Sequence, residues 1–93
     1  QNSGLTLLHF AAKESSEQVV KVLIERGADV NAISDTGATP LWLAADASIA
    51  PNVRLLLYAR AKVLPESGLG WNPLHAAARS DSLECIKLLL DYG

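Results

Sequence analysis

The stretch Gly37-Ala-Thr-Pro-Leu-Trp-Leu-Ala-Ala45 decides the fold, because close copies lie at one fixed interval on either side of it. Upstream stands Gly4-Leu-Thr-Leu-Leu-His-Phe-Ala-Ala12, and downstream Gly70-Trp-Asn-Pro-Leu-His-Ala-Ala-Ala78. The glycines fall at 4, 37 and 70, a step of 33 residues both times, and Leu8, Leu41 and Leu74 keep that step without an insertion. Such a strict period marks a stacked array, in which each unit buries against its neighbours an apolar face it cannot hide alone.

Each part of the copy has a physical task. Gly37 suits a tight turn, Thr39 can cap a helix through its hydroxyl, and Pro40 fits the first helical position, where no N–H is needed. Thr-Pro therefore predicts a helix start, and Ala44 and Ala45 predict a helix face small enough for a neighbouring helix to approach closely. Asn72 before Pro73 is an equivalent cap, whereas Leu7 stands where the upstream copy would carry proline, so the first repeat is expected to start less sharply.

The Gly-x-Thr-Pro-Leu-x-x-Ala-Ala signature, the interval, and the run Gly27-Ala-Asp-Val-Asn-Ala32 after Val19-Val-Lys-Val-Leu-Ile24 closely resemble the ankyrin repeat, over essentially all 93 residues. The resemblance implies an all-α helical repeat with short β-hairpin fingers: two antiparallel helices per repeat, about three pairs stacked into a solenoid that binds other proteins. The repeats are expected at 1–33, 34–66 and 67–93 of a single domain. The second helix of repeat three, with Cys85, Ile86, Leu88, Leu89 and Leu90, stays as apolar as Val19 to Ile24, where a terminal repeat normally turns polar outward. The domain is accordingly expected to be an excerpt of a longer array.

Composition agrees with a folded chain and narrows its function. It is 49% hydrophobic with a net charge of −2, and the charges are evenly spread, so binding driven by nucleic-acid phosphate has little support. No apolar run approaches the roughly 20 residues of a membrane span. The single cysteine permits no internal disulfide, which favours an intracellular setting, cytoplasmic or nuclear.

In chain order, the predicted helices run over Thr6 to Lys13, about Glu17 to Arg26, Pro40 to Ala47, Pro51 to about Ala59, Asn72 to Arg79, and Leu83 to Tyr92 with Asp81 or Ser82 as its cap. Val19, Val20, Leu23 and Ile24 form the buried stripe of the second. Gly27 should end that helix in a left-handed conformation, and Arg60 holds the same place in repeat two. Asp35-Thr36-Gly37 is turn chemistry for the first finger. In the second, Leu64 and Pro65 replace Asn31 and Ala32, and Pro65 has no N–H for regular hairpin pairing.

Residues of chemically reactive types read as structural. His9 and His75 occupy one repeat position, 66 residues apart, and Cys85 has no second thiol, so neither a metal site nor a cofactor is expected. The resemblance gives the histidines a hydrogen bond to the turn before the helix, with Trp42 replacing them in repeat two. Cys85 reads as a small buried hydrophobe, no serine lies in a nucleophile elbow, and no glycine loop cradles phosphate. Enzymatic activity is therefore not expected. Asn31 matches a family position at which asparagine hydroxylation occurs, with a hydrogen-bonding finger role as its plainer reading.

What remains is a binding surface. In the family partners meet finger tips and the inner face of the first helices, which here correspond to Ile33, Asp35, Thr36 and Ala38, then Glu66, Gly68, Leu69 and Trp71, with Lys13, Glu14, Trp42, Asp46, Ala47, Arg79 and Ser80 on the helices. Leu69 and Trp71 are the expected anchors, unless Trp71 folds back on a neighbouring finger. The leading expectation is a non-catalytic scaffold for a protein or peptide. The alternatives are a regulatory or substrate-recruiting segment of a multidomain enzyme, ubiquitin-ligase subunit or channel, and a purely structural spacer. Self-association through an uncovered Leu and Ile face of repeat three is a further expectation.

Overall fold

A computed structural model describes residues 5–14, 17–63 and 72–92 of the chain. Six helices lie among them: α1 (Leu7–Ala12), α2 (Glu17–Glu25), α3 (Pro40–Asp46), α4 (Ala50–Tyr58), α5 (Pro73–Arg79) and α6 (Leu83–Tyr92). Each odd helix packs on the even helix that follows it. Across repeats α1 packs on α3 and α3 on α5, while α2 packs on α4 and α4 on α6. The result is two helical layers, three pairs deep, in the order the sequence predicts.

The period of the sequence reappears in the backbone. Gly27 and Arg60, one interval apart, have φ of 90° and 72°, and Ser48 and Asp81, again one interval apart, have 61° and 60°. Each follows a helix end closed by two bonds. Ala28 N–H donates to Leu23 O and Gly27 N–H to Ile24 O, and the same pairing joins Ile49 to Ala44, Ser48 to Ala45, Ala61 to Leu56, Arg60 to Leu57, Ser82 to Ala77 and Asp81 to Ala78, all at 3.0–3.1 Å. This is the Schellman arrangement, which satisfies carbonyls the helix leaves open. The left-handed position expected at Gly27 and Arg60 is therefore present, and a second one sits in the turn between the helices of a repeat.

Helix starts are fixed by side chains. Thr39 Oγ1 accepts from Trp42 N–H at 3.1 Å, and Asn72 Oδ1 from Leu74 N–H at 2.8 Å, each beside a proline in the first turn. Repeat one is no less sharply begun for lacking proline. Thr6 Oγ1 accepts from His9 N–H at 3.2 Å, and Thr6 N–H donates to His9 Nδ1 at 3.0 Å, a reciprocal capping box with imidazole in the place usually held by a carboxylate. Of the two candidate caps for α6, Ser82 supplies the hydroxyl, to Cys85 N–H at 3.4 Å, while Asp81 is the left-handed residue before it.

The core runs unbroken along the stack. Leu8, Leu41, Leu56 and Leu89 are essentially fully buried, and the small pairs Ala11–Ala12, Ala44–Ala45 and Ala76–Ala77 line the contacts between odd helices. Cys85 is buried among them, a small apolar group as its sequence position suggests. On the outer layer Arg54 pairs with Glu84 at 3.1 Å, and Tyr58 lies 5.8 Å from Tyr92, ring to ring. A side-chain hydrogen bond with Tyr58 that favours the protonated phenol holds Tyr92 above its ordinary pKa.

The first finger departs from the expected β-hairpin, since no strand occurs among the described residues. In the first finger Ser34 N–H donates to Ala38 O at 2.9 Å, but the return bond from Ala38 N–H goes to Ser34 Oγ at 3.1 Å. A side-chain hydroxyl thus takes the place of the second rung, and one backbone rung does not make a ladder. The turn at 35–37 is as expected: Gly37 N–H closes on Ser34 O at 2.9 Å, with Gly37 at φ 94°. The unusual second finger, with Leu64 and Pro65, lies outside the described residues.

Candidate protein-interaction surface

Trp42 and Asp46 lie one turn apart on α3, so their side chains leave the same face of the helix. Arg79 ends α5 one interval after Asp46, and the packing of α5 on α3 brings it across. Its guanidinium carbon sits 5.7 Å from the centroid of the Trp42 ring, and its Nη2 donates to Asp46 Oδ1. The Arg79 side chain is 68% exposed and that of Asp46 36%. A solvent-exposed ion pair adds about 0–1 kcal/mol to stability, so this group is weakly explained as a structural fastening. Its distinctive property is a guanidinium held over a half-buried indole at the surface of the α1, α3 and α5 layer. Lys13, also exposed, continues the column beyond Asp46, giving alternating charge across the three helices.

In the first finger Ile33 is 41% exposed, and Asp35 and Thr36 are exposed beside it. The Thr36 hydroxyl is engaged with Ser34 Oγ at 3.0 Å. Ala38 departs from its expected place on the surface: it is 3% exposed, and its carbonyl accepts a hydrogen bond from His9 Nε2 at 2.9 Å. It supports the finger from below. Glu66, Gly68, Leu69 and Trp71, including both expected anchors, lie outside the described residues.

The two histidines part company. His9 is fully buried, and its partners fix its tautomer: Thr6 N–H can only donate to Nδ1 and the Ala38 carbonyl can only accept from Nε2, so the ring is neutral with its proton on Nε2. It joins the turn before α1, as the family resemblance implies, to the finger of the next repeat. His75, in the same column, is exposed. Among the described residues no group of three or more His, Cys, Asp or Glu side chains is placed to hold a metal ion.

Two polar residues matter more than the sequence reading suggests. Asn31 Oδ1 accepts from Lys62 N–H at 2.7 Å and so links the first finger to the start of the second. Asn52, fully buried, reaches back from α4 and donates from Nδ2 to Ala12 O at 2.9 Å and Glu14 O at 2.7 Å, while its Oδ1 has no partner among the described residues. The signal for Asn52 was present: it is the one polar residue in the column Val19, Asn52, Cys85. The Trp42 and Arg79 contact left no comparable signal, because it joins residues 37 positions apart in different columns.

Fold and surface together define a helix-pair repeat protein whose units stack in register. A family model described as ankyrin repeats (3 copies) matches residues 1–67 and 33–93, and the chain belongs to the ankyrin repeat family. A protein of Fowlpox virus (strain NVSL), named as an ankyrin repeat protein, is 45% identical over 38 residues, which is 41% of this chain and 20% of the relative. The alignment thus spans about a fifth of that relative's length. Ankyrin repeats are in general protein–protein interaction modules. No helix among the described residues is long and apolar enough to cross a membrane.

Proposed function

We propose that this chain is a non-catalytic scaffold, part of a longer array, that binds a protein or peptide across its first-helix layer and finger tips. The observation that supports this most is the cation–π contact of exposed Arg79 with half-buried Trp42, flanked by Asp46. Tryptophan and arginine are the side chains most enriched among residues that dominate binding energy, and here they are held together before any partner arrives. Ile33 and Asp35 extend the surface into the first finger, and Glu66, Leu69 and Trp71 belong to it on the sequence pattern alone.

The test is selection of binding peptides from a displayed random library against the intact chain, followed by titration of Trp42→Ala and Arg79→Ala. Each is expected to weaken binding about 10- to 100-fold; Arg79→Ala should keep the thermal midpoint within a few degrees of the parent, whereas Trp42→Ala also lowers it, because Trp42 packs against the core. Selected peptides that bind both variants as tightly as the parent would move the site elsewhere.

A further inference from the structure

Two cations of the first-helix layer are each held against an aromatic ring. Lys13, which closes α1, has its Nζ 5.6 Å from the centroid of the Phe10 ring, and Arg79, which ends α5, has its guanidinium carbon 5.7 Å from that of Trp42. Asp46 holds the same column on α3, between the two, and its Oδ1 accepts from Arg79 Nη2. The three positions are one repeat interval apart, so the column crosses the layer from α1 through α3 to α5.

The column is open whether or not a repeat has neighbours. Repeat two is packed on both sides, yet the Asp46 side chain stays 36% exposed with Arg79 bonded to it, and Ala47 next to it is exposed. Ala44 and Ala45, on the faces that meet neighbouring repeats, are by contrast fully buried. The column therefore faces across the stack rather than along it, and a further repeat at either end would lengthen it instead of covering it.

Charge then selects the occupant. Asp46 is partly neutralised by Arg79, whereas Lys13 is exposed and the Arg79 side chain is 68% exposed, so both cations present donors to solvent. We infer that the column takes an extended peptide with two acidic side chains, one for Lys13 and one for Arg79, and with apolar rather than acidic side chains between them. This rests on the binding surface proposed above and names the chemistry of its partner. Helices packed in one layer lie about 8–10 Å apart, which sets Lys13 and Arg79 roughly 16–20 Å apart. An extended segment advances about 3.3 Å per residue and turns every second side chain to one face, so acids about six positions apart reach both cations from the same side. The two side chains between them on that face fall on either side of α3, over half-buried Trp42 and Leu43, where an acid would meet the like charge of Asp46. The rings hold the cations in place beforehand, which lowers the ordering cost of binding.

The test is the composition of peptides selected from a displayed random library by the intact chain and by Lys13→Glu and Arg79→Glu. Both residues are exposed, so the fold should survive, and circular dichroism checks it. The parent is expected to select pairs of Asp or Glu about six positions apart. Lys13→Glu is expected to replace the acid at one end by Lys or Arg, and Arg79→Glu to do so at the other. Arg79→Gln removes the charge without setting an acid beside Asp46, and should bind a synthetic parent-selected peptide about 10-fold more weakly. Parent-selected peptides that are lost with Trp42→Ala yet carry no such pair of acids would overturn the inference and leave the binding surface standing. So would acids kept at both ends by both reversed variants, or acids at a helical spacing of about 11–13 positions. Peptides indifferent to Trp42 and Arg79 alike would remove the surface itself, and this inference with it.

Discussion

At the scale of single residues, this fold depends on a few positions where backbone or polar chemistry is tightly specified. Arg60 holds φ 72° at the place where Gly27 holds 90° one repeat earlier. A side chain in this region costs roughly 1 kcal/mol that glycine does not pay. Arg60→Gly is therefore expected to raise the unfolding free energy by up to about 1 kcal/mol, and Gly27→Ala to lower it by about as much. Nothing lies within 4 Å of a Cβ built on Gly27, so the loss there comes from the backbone alone. Urea denaturation of both variants checks the pair; a stabilising Gly27→Ala would contradict the account. Asn52 is the second such residue. Asn52→Ala withdraws the donor from the carbonyls of Ala12 and Glu14 and should cost about 1–3 kcal/mol. Asn52→Asp should cost more than alanine, because it turns an acceptor toward two acceptors in a site sealed from water. If aspartate proved the milder change, Nδ2 would not be the group that matters.

At the scale of elements, helix boundaries are set by caps, and here one start is built differently from its equivalents. Thr39 and Asn72 cap helices that begin with proline, whereas Thr6 caps α1 with reciprocal help from His9. Thr39→Ala should cost about 1 kcal/mol. Thr6→Ala should cost a similar amount and also loosen His9, so its effect and that of His9→Ala should fall short of additive when combined. Thermal denaturation of the two single variants and the double measures this, and strict additivity would show that Thr6 and His9 act separately. The helices were legible in the sequence almost to the residue, because the caps, the prolines and the apolar stripe all act within a few positions, although of the predicted stripe Val20 is buried, Leu23 and Ile24 are half-buried, and Val19 is exposed. The left-handed turn at Ser48 and Asp81 was not, since neither residue type demands that conformation. The finger was legible as a turn but not as to its pairing, because whether Ala38 N–H meets Ser34 O or Ser34 Oγ depends on a rotamer that no pattern encodes. Of the candidate surface, the finger and helix columns could be read, while the contact of Arg79 with Trp42 required knowing how far α5 lies from α3.

At the scale of the whole molecule, stability in a stacked array is a sum of unit stabilities and nearest-neighbour interfaces, so a repeat covered on both sides should outlast one covered on a single side. Repeat two is the one covered twice: Leu41, Ala44, Ala45, Val53 and Leu56 are fully buried, and α3 and α4 each pack on helices of both neighbours. Repeat one leaves Leu7, Phe10, Val19 and Val22 open, and repeat three leaves Leu83 and Leu90 open. Local opening follows the contacts an element must break. Amide hydrogen exchange of the intact chain, measured dilute, is therefore expected to be slowest in α3 and α4, with α1, α2 and the last turn of α6 exchanging first. Asn52 sharpens the expectation, since its bonds to Ala12 and Glu14 tie repeat one to the middle unit. In Asn52→Ala, protection should fall more in α1 and α2 than in α5 and α6, although the substitution lies in α4. Protection lost uniformly along the chain would instead mean that the three repeats unfold as one unit, and that their interfaces are strong enough to hide the difference between a covered repeat and an open one.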